Sequence, residues 1–380
     1  MPPVRTQRLA YLDWLRGLAC LGMFEVHSYD SWLGGATRQS LFFRWSQLTG
    51  TIPAPLFIFL SGVTCAFVAD NMRRKGFASR AIGRRLIRRG GEVFGLGLLF
   101  RAQEFALGWP IAPWTDLFRV DVLNLIGLSI VFIGLVSLAA QNRTAMAFAS
   151  AGVALAVALV TPMIWSTWRP RWLPWYLESY FNGVHIFNSP QPWLFPIFPW
   201  AAFAFAGVAV GIVLFSEWSS RNPGWTMALL GGGGVGLFCL SQWLDAQPLQ
   251  LCTTYDYWHT SPNFFLARVG LLLVIVLAGY AWCRWGLGGV GFSPLSQMGQ
   301  TSLLVYWVHI EFVYGRLSIF EKQAQGIGTA TLGFFTITTA MVLLSLARTR
   351  TKGRGSEILA WLTRFRPANV GRSQETSAEG

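Results

Sequence analysis

Apolar stretches long enough to cross a hydrocarbon core recur along the chain, separated by short polar or basic breaks. Crossing such a core, about 30 Å thick, takes about 20 residues of α-helix. On that spacing the pattern predicts spans over 12–30, 51–70, 91–108, 121–140, 143–165, 194–215, 225–244, 264–284, 296–318 and 327–347. The expected fold class is therefore all-α, a polytopic integral-membrane helical bundle with about ten transmembrane helices. Residues 1–350 read as one transmembrane domain and 351–380 as a basic, partly disordered cytoplasmic tail, its last residues small and polar. No repeat or separate soluble domain is visible.

Composition agrees with this picture and removes a competing one. The 380 residues are 53% hydrophobic and only 12% charged, with 19 Trp and 29 Phe, and the mean hydropathy is +0.43. A soluble domain does not have this balance. The net charge of +13 does not point to nucleic acid, because the cations cluster in a few breaks between spans. Arg73, Arg74, Lys75, Arg80, Arg84, Arg85, Arg88 and Arg89 follow the second span, and Arg348, Arg350, Lys352, Arg354, Arg364 and Arg366 follow the last. The positive-inside rule puts both clusters, and with an even span count both termini, on the cytoplasmic side, against anionic lipid headgroups, and the membrane expected is a bacterial inner membrane. Arg5 and Arg8 precede an apolar run broken by Asp13 and Arg16, which reads as a retained first helix rather than a signal peptide. Five scattered cysteines, Cys20, Cys65, Cys239, Cys252 and Cys283, show no Cys-x-x-Cys spacing, so neither a disulfide framework nor a metal site is expected.

Arg16 and His27 are the most informative polar pair. Eleven helical steps return nearly to the starting direction, so the two share a face about 16 Å apart. Titratable groups inside a span are costly and mark function by default. An Arg suits a phosphate or carboxylate, and a His suits taking a proton. Asp30, three positions on, is placed to accept the other imidazole N–H and orient the base. Asp13 and Glu25 are the plainer charge partners, with Asp13 three residues before Arg16. His309, near Glu311, reads either as a structural histidine bonded to Tyr306 or a carbonyl, or as a substrate contact.

Other polar positions carry less. Ser61-Gly62 lacks a nucleophile-elbow setting and reads as close packing of the second span on the first. Asp121 and Asn124 read as an N-terminal cap or a cavity edge. The glycine run Gly231–Gly234 has no following Lys-Ser/Thr and suits helix packing. The external segment 166–193, with Arg169, Arg171, Glu178 and Asn182 among aromatic rings, reads as a sugar-binding lid or an interfacial belt; 245–263, with Asp256, Trp258 and His259, reads the same way.

Several segments together resemble a known group. RLAYLDWLRGLACLGMFEVH resembles the first-helix signature of the transmembrane acyltransferase superfamily, related to the acyltransferase 3 family, in which an Arg and a His stand ten residues apart. APLFIFLSGVTCAF resembles its second-helix segment. DVLNLIGLSIVF, FPIFPWAAFAFAGVAVG and LSQMGQTSLLVYWVHI resemble later segments of the heparan-alpha-glucosaminide N-acetyltransferase-like branch. The resemblance implies a membrane enzyme that takes an acyl group, usually acetyl from cytoplasmic acetyl-CoA, to a sugar or glycan hydroxyl or amine. It makes His27 the catalytic histidine, with Asp30 beside it, and Arg16 its partner toward the donor. Arg84, Arg85 and Arg88 of the basic stretch, with His309, join Arg16 as expected acyl-CoA-binding residues. The lysosomal enzymes of the branch carry a histidine between the first two helices, whereas Ser28 to Pro55 contains none. A homodimer is compatible with the sequence. The alternatives are an O-acyltransferase acting on glycans or lipid-linked saccharides, and a secondary transporter with an intramembrane charged pathway, although no pair of interrupted helices appears in matching halves.

Overall fold

The computed structural model describes residues 4–182, 195–247, 256–286 and 291–351. Fourteen α-helices follow one another among these: α1 (Val4–Trp32), α2 (Leu41–Gly50), α3 (Pro53–Arg74), α4 (Ser79–Gly108), α5 (Val122–Ala139), α6 (Arg143–Ser166), α7 (Trp175–Glu178), α8 (Ile197–Leu214), α9 (Glu217–Arg221), α10 (Pro223–Asp245), α11 (Pro262–Trp285), α12 (Pro294–Gln300), α13 (Ser302–Val313) and α14 (Ile327–Thr351). The tail beyond Thr351, with its remaining basic residues, and Cys252 lie outside the described residues.

The protein is all-helical, and every expected apolar stretch is helical, but the count of spans differs. Among the described residues seven segments are long and apolar enough to cross a membrane: Leu41–Arg74, Trp114–Ala139, Arg143–Trp165, Ile197–Leu214, Pro223–Asp245, Pro262–Trp285 and Ile327–Thr351. Helices α1 and α4 have the length, at 29 and 30 residues, but are interrupted by charge. The expected ninth span is broken at Thr301 into α12 and α13; α13, with 12 residues, is about 18 Å long and short of a full crossing.

Local chemistry sets the helix ends. Pro53 opens α3, where its missing N–H costs nothing. Asp121 and Asn124 form a capping box at α5, so the capping reading of that pair holds. The basic stretch after the second span is not a loop: Arg73 and Arg74 end α3, and Arg80 to Arg89 form the first turns of α4.

Small residues set how closely the helices approach. A Cβ at Gly17 would fall 1.9 Å from the Leu295 carbonyl oxygen, and one at Gly299 would fall 1.8 Å from that of Asp13, so α1 and α12 touch backbone to backbone. Gly62 and Gly207 do the same between α3 and α8, at 1.9 Å from the Ala204 oxygen and 2.0 Å from the Phe59 oxygen. Gly62 thus packs the second apolar stretch on α8 and not on α1, which meets α3 at Gly22 and Pro53. Of the glycine run, Gly231 and Gly234 press against α11 while Gly232 and Gly233 face open space.

Helix directions define two ends of the bundle. Arg16 meets Thr64 and Gly22 meets Pro53, so α3 runs antiparallel to α1 and brings Arg73 and Arg74 to the α1 N-terminal end. A four-residue turn then starts α4 there, and α4 climbs until Phe100 and Gln103 meet Tyr306 and Trp307 on α13. His309 faces His27, and Ser31 bonds the Val313 carbonyl at 2.7 Å, so α13 runs beside the second half of α1.

Candidate active site

One cavity of about 1870 Å³ runs along α1. Arg16, Arg85 and Arg89 line it at the α1 N-terminal end; His27, Asp30, Glu104, Asp121, Arg268 and Tyr314 line it at the other. Met23, Phe57, Val93, Ile130 and Phe203 give it apolar walls between. Arg16 and His27 thus open onto one space, as their shared helical face requires.

His27 is held by a second histidine. Its Nδ1 lies 3.0 Å from His309 Nε2, with the ring centroids 5.2 Å apart and the ring planes 7° from parallel. His309 is fully buried, clasped between Phe24 and Tyr306, and its Nδ1 lies 3.1 Å from the Val305 carbonyl oxygen. That oxygen can only accept, so His309 Nδ1 carries the proton. With both rings neutral, His309 Nε2 is the acceptor and His27 Nδ1–H donates to it. The remaining nitrogen, His27 Nε2, is left with a lone pair, which is the form a general base requires. His309 does not line the cavity, so it stands behind the base and not against a ligand as expected from sequence.

Asp30 is engaged elsewhere. Arg38 donates to its carboxylate at 2.6 Å and to its main-chain carbonyl at 2.8 Å, and the Tyr314 hydroxyl donates to Oδ2 at 2.8 Å. The expected hydrogen bond from the His27 imidazole to the Asp30 carboxylate is not formed; His309 takes that place. Tyr314 nonetheless packs edge-on against the His27 ring at 5.1 Å, so Asp30 reaches the base through Tyr314.

At the basic end Arg16 pairs with Asp13 at 2.7 Å and donates to Thr64 Oγ1 at 2.6 Å, which realises the plainer partner. Arg84 and Arg88 are exposed and off the cavity, and Arg88 pairs with Glu92 at 3.3 Å. Of the three α4 cations expected to bind acyl-CoA, the cavity meets Arg85, and it meets Arg89, which had not been singled out.

The sequence reading missed a polar belt at the His27 level. Buried Arg101 bonds Glu104 and lies 3.5 Å from Asp121, whose carboxylate also accepts from Tyr306 at 2.8 Å. Gln103 donates to Glu311 at 2.9 Å and accepts from Trp307 at 2.9 Å. The signal was present, since Arg101 and Glu104 are charges within a span.

Of the two expected external segments, 245–263 lines the cavity through Asp256, Trp258, His259 and Ser261, whereas no described residue of 166–193 does. Asn182 donates to Glu178 at 2.8 Å, and Trp165 of the cavity wall donates to the Phe198 carbonyl. Residues 183–194 of the expected lid are outside the described set. Burial, with the Asp121 carboxylate nearby, pushes the Tyr180 phenol up to about 12, so it stays protonated at physiological pH. Asp256 and His259 pair at 2.7 Å at the cavity rim, beside Trp258. Among the described residues no three His, Cys, Asp or Glu side chains cluster as metal ligands would.

The geometry is an imidazole with a fixed tautomer, a cavity long enough for an extended ligand, and cations at the far end. The family model described as heparan-alpha-glucosaminide N-acetyltransferase, catalytic, matches residues 8–233, which include α1 and its His27. No curated protein matches the chain.

Proposed function

Because the chain belongs to the heparan-alpha-glucosaminide N-acetyltransferase catalytic family, we propose that it is an integral-membrane acyltransferase moving acetyl from acetyl-CoA to an amine or hydroxyl of a sugar or glycan. The observation that carries this reading is the His27–His309 pair, which leaves one unprotonated imidazole nitrogen on a cavity reaching from Arg16 to the opposite end.

In this reading the donor enters at the basic end, with its phosphates near Arg85, Arg89 and Arg16. Its pantetheine arm follows the apolar walls beside α1 toward His27. A fully extended arm suits the separation of about 16 Å between Arg16 and His27 along the helix. The acceptor comes from the other end. His27 Nε2 removes the proton from the attacking amine or hydroxyl as its heteroatom bonds to the thioester carbonyl carbon. The tetrahedral intermediate collapses, the carbon–sulfur bond breaks, and the imidazolium returns its proton to the departing thiolate. His309 holds the imidazole throughout and accepts the Nδ1–H bond that steadies the imidazolium. General base catalysis of this kind is worth about 10²–10⁴-fold. By the positive-inside rule the basic end is cytoplasmic, with α1, α4 and the α12–α13 pair adding to the seven apolar spans.

The test is transfer of radiolabelled acetyl from acetyl-CoA to a panel of amino and neutral sugars by purified protein, followed by mass spectrometry of the product. An amide or ester is the expected product, abolished in His27→Ala. Undiminished transfer in that variant, or failure of CoA to bind the wild-type protein, overturns the reading.

A further inference from the structure

One cation at the His27 end has no role in the transfer step. Arg268, on α11, is 8% exposed and lines the cavity. It donates to the main-chain carbonyl of Thr51, and its guanidinium lies 4.1 Å over the centre of the Phe264 ring. Thr51 follows Gly50, where the Val26 side chain presses so close that a Cβ would fall 2.2 Å from it. Val26 precedes His27, so Arg268 stands at the level of the base along the bundle.

What separates Arg268 from Arg101, the other buried arginine among the described residues, is its partner. Arg101 has Glu104 and Asp121, Arg16 has Asp13, and Arg143 has Asp70. Arg268 forms no ion pair among the described residues. Of the residues outside the described ones, the internal 183–194, 248–255 and 287–290 contain no Asp or Glu, and Glu357, Glu375 and Glu379 lie beyond Thr351. A carbonyl and a ring face satisfy part of a guanidinium, but neither carries the counter-charge that a buried cation calls for. The side of Arg268 that meets the cavity is where that charge is missing.

We propose that Arg268 forms an anion subsite for a carboxylate, sulfate or phosphate carried by the acceptor sugar. The planar fork of an arginine favours such oxyanions over neutral hydroxyls. The donor's own phosphates are a poorer fit, since the Arg16 end lies about 16 Å away along α1. A thioester oxyanion exists only during transfer and leaves the resting cation uncompensated. Assigning the anion to the acceptor rests on the acyltransferase reading; the subsite itself rests on the unpaired cation.

Binding measured without turnover tests it. Glucuronate, glucose and CoA are each titrated by calorimetry into detergent-solubilised wild-type protein, Arg268→Gln and Arg268→Lys. The expected result is that glucuronate binds the wild type more tightly than glucose does. Arg268→Gln should weaken glucuronate by about 10- to 100-fold, with Arg268→Lys between the two and CoA affinity unchanged. Tighter binding of glucose 6-sulfate or glucose 6-phosphate supports the same subsite and identifies its oxyanion. Equal binding of glucuronate and glucose by the wild type overturns the proposal, and that comparison needs no variant to fold. A fall in CoA affinity in step with glucuronate also overturns it, because the cation then serves the donor. If CoA fails to bind the wild type while glucuronate does, the acyltransferase reading falls and the anion subsite stands.

Discussion

His27 Nδ1 lies 3.0 Å from His309 Nε2, a pair 282 positions apart in sequence that places one imidazole on α1 and the group that fixes its tautomer on α13. The two therefore fail differently when removed. His27→Ala should cut acetyl transfer by at least about 10²–10⁴-fold. His309→Ala frees the imidazole to rotate and to take the wrong tautomer, so kcat should fall about 10- to 100-fold with the donor KM unchanged. His309→Gln keeps an acceptor for Nδ1–H and should recover part of that loss. Steady-state kinetics of the three variants check this; a wild-type kcat in His309→Ala would show that the pair has no bearing on chemistry.

Asp30 ties the end of α1 to its surroundings and makes no direct hydrogen bond to His27. It joins Arg38 and Tyr314, and its ion pair with Arg38 is largely shielded, with side chains 27% and 16% exposed. Asp30→Asn should cost about 1–2 kcal/mol of stability through weakened charge-assisted bonds. It should leave transfer within about tenfold of wild type, since His309 still holds the base. Thermal melts beside initial rates separate the two; a kinetic defect as deep as that of His27→Ala with an unchanged melt would restore Asp30 to the chemistry.

Arg16 and His27 were legible in the sequence because charge stands out against an apolar background and helical periodicity is local. The partner of His27 was not, because no sequence spacing links residue 27 to residue 309. Asp30 sat at the right helical offset, but Arg38, in the turn after α1, and Tyr314, just past α13, claimed it first. The start of α4 at Ser79 was hidden by its own arginines, which depress hydropathy without disfavouring helix. The break at Thr301 was equally silent, since Gln-Thr-Ser carries neither Gly nor Pro. The long apolar helices were thus readable, while α2, the start of α4 and the pairing of helices, and with it most of the polar belt, were not.

Gly299 shows how that pairing is enforced. Its Cβ would fall 1.8 Å from the Asp13 carbonyl oxygen, a backbone atom that cannot swing aside. Gly299→Ala should separate α12 from α1 and destabilise the fold by about 1–3 kcal/mol or more. Gly232, with nothing within 4 Å of its Cβ position, is the control; Gly232→Ala should be neutral or slightly stabilising. The thermal midpoint of each variant in detergent decides the matter, and equal midpoints would mean that the α1–α12 contact contributes nothing.

The basic end offers a comparison between neighbours. Arg84 and Arg85 are adjacent on α4, both exposed, yet only Arg85 borders the cavity. If donor phosphates rest there, Arg85→Ala should raise the KM for acetyl-CoA about three- to tenfold, the modest loss expected of a solvated charge contact. Arg84→Ala, which removes the same charge from the same turn, should leave the KM unchanged. Added salt should weaken acetyl-CoA binding in the wild type and do so less in Arg85→Ala, because screening acts on the contact already removed. Equal effects from the two substitutions would mean that the donor senses the net charge of α4 and not a site at the cavity mouth.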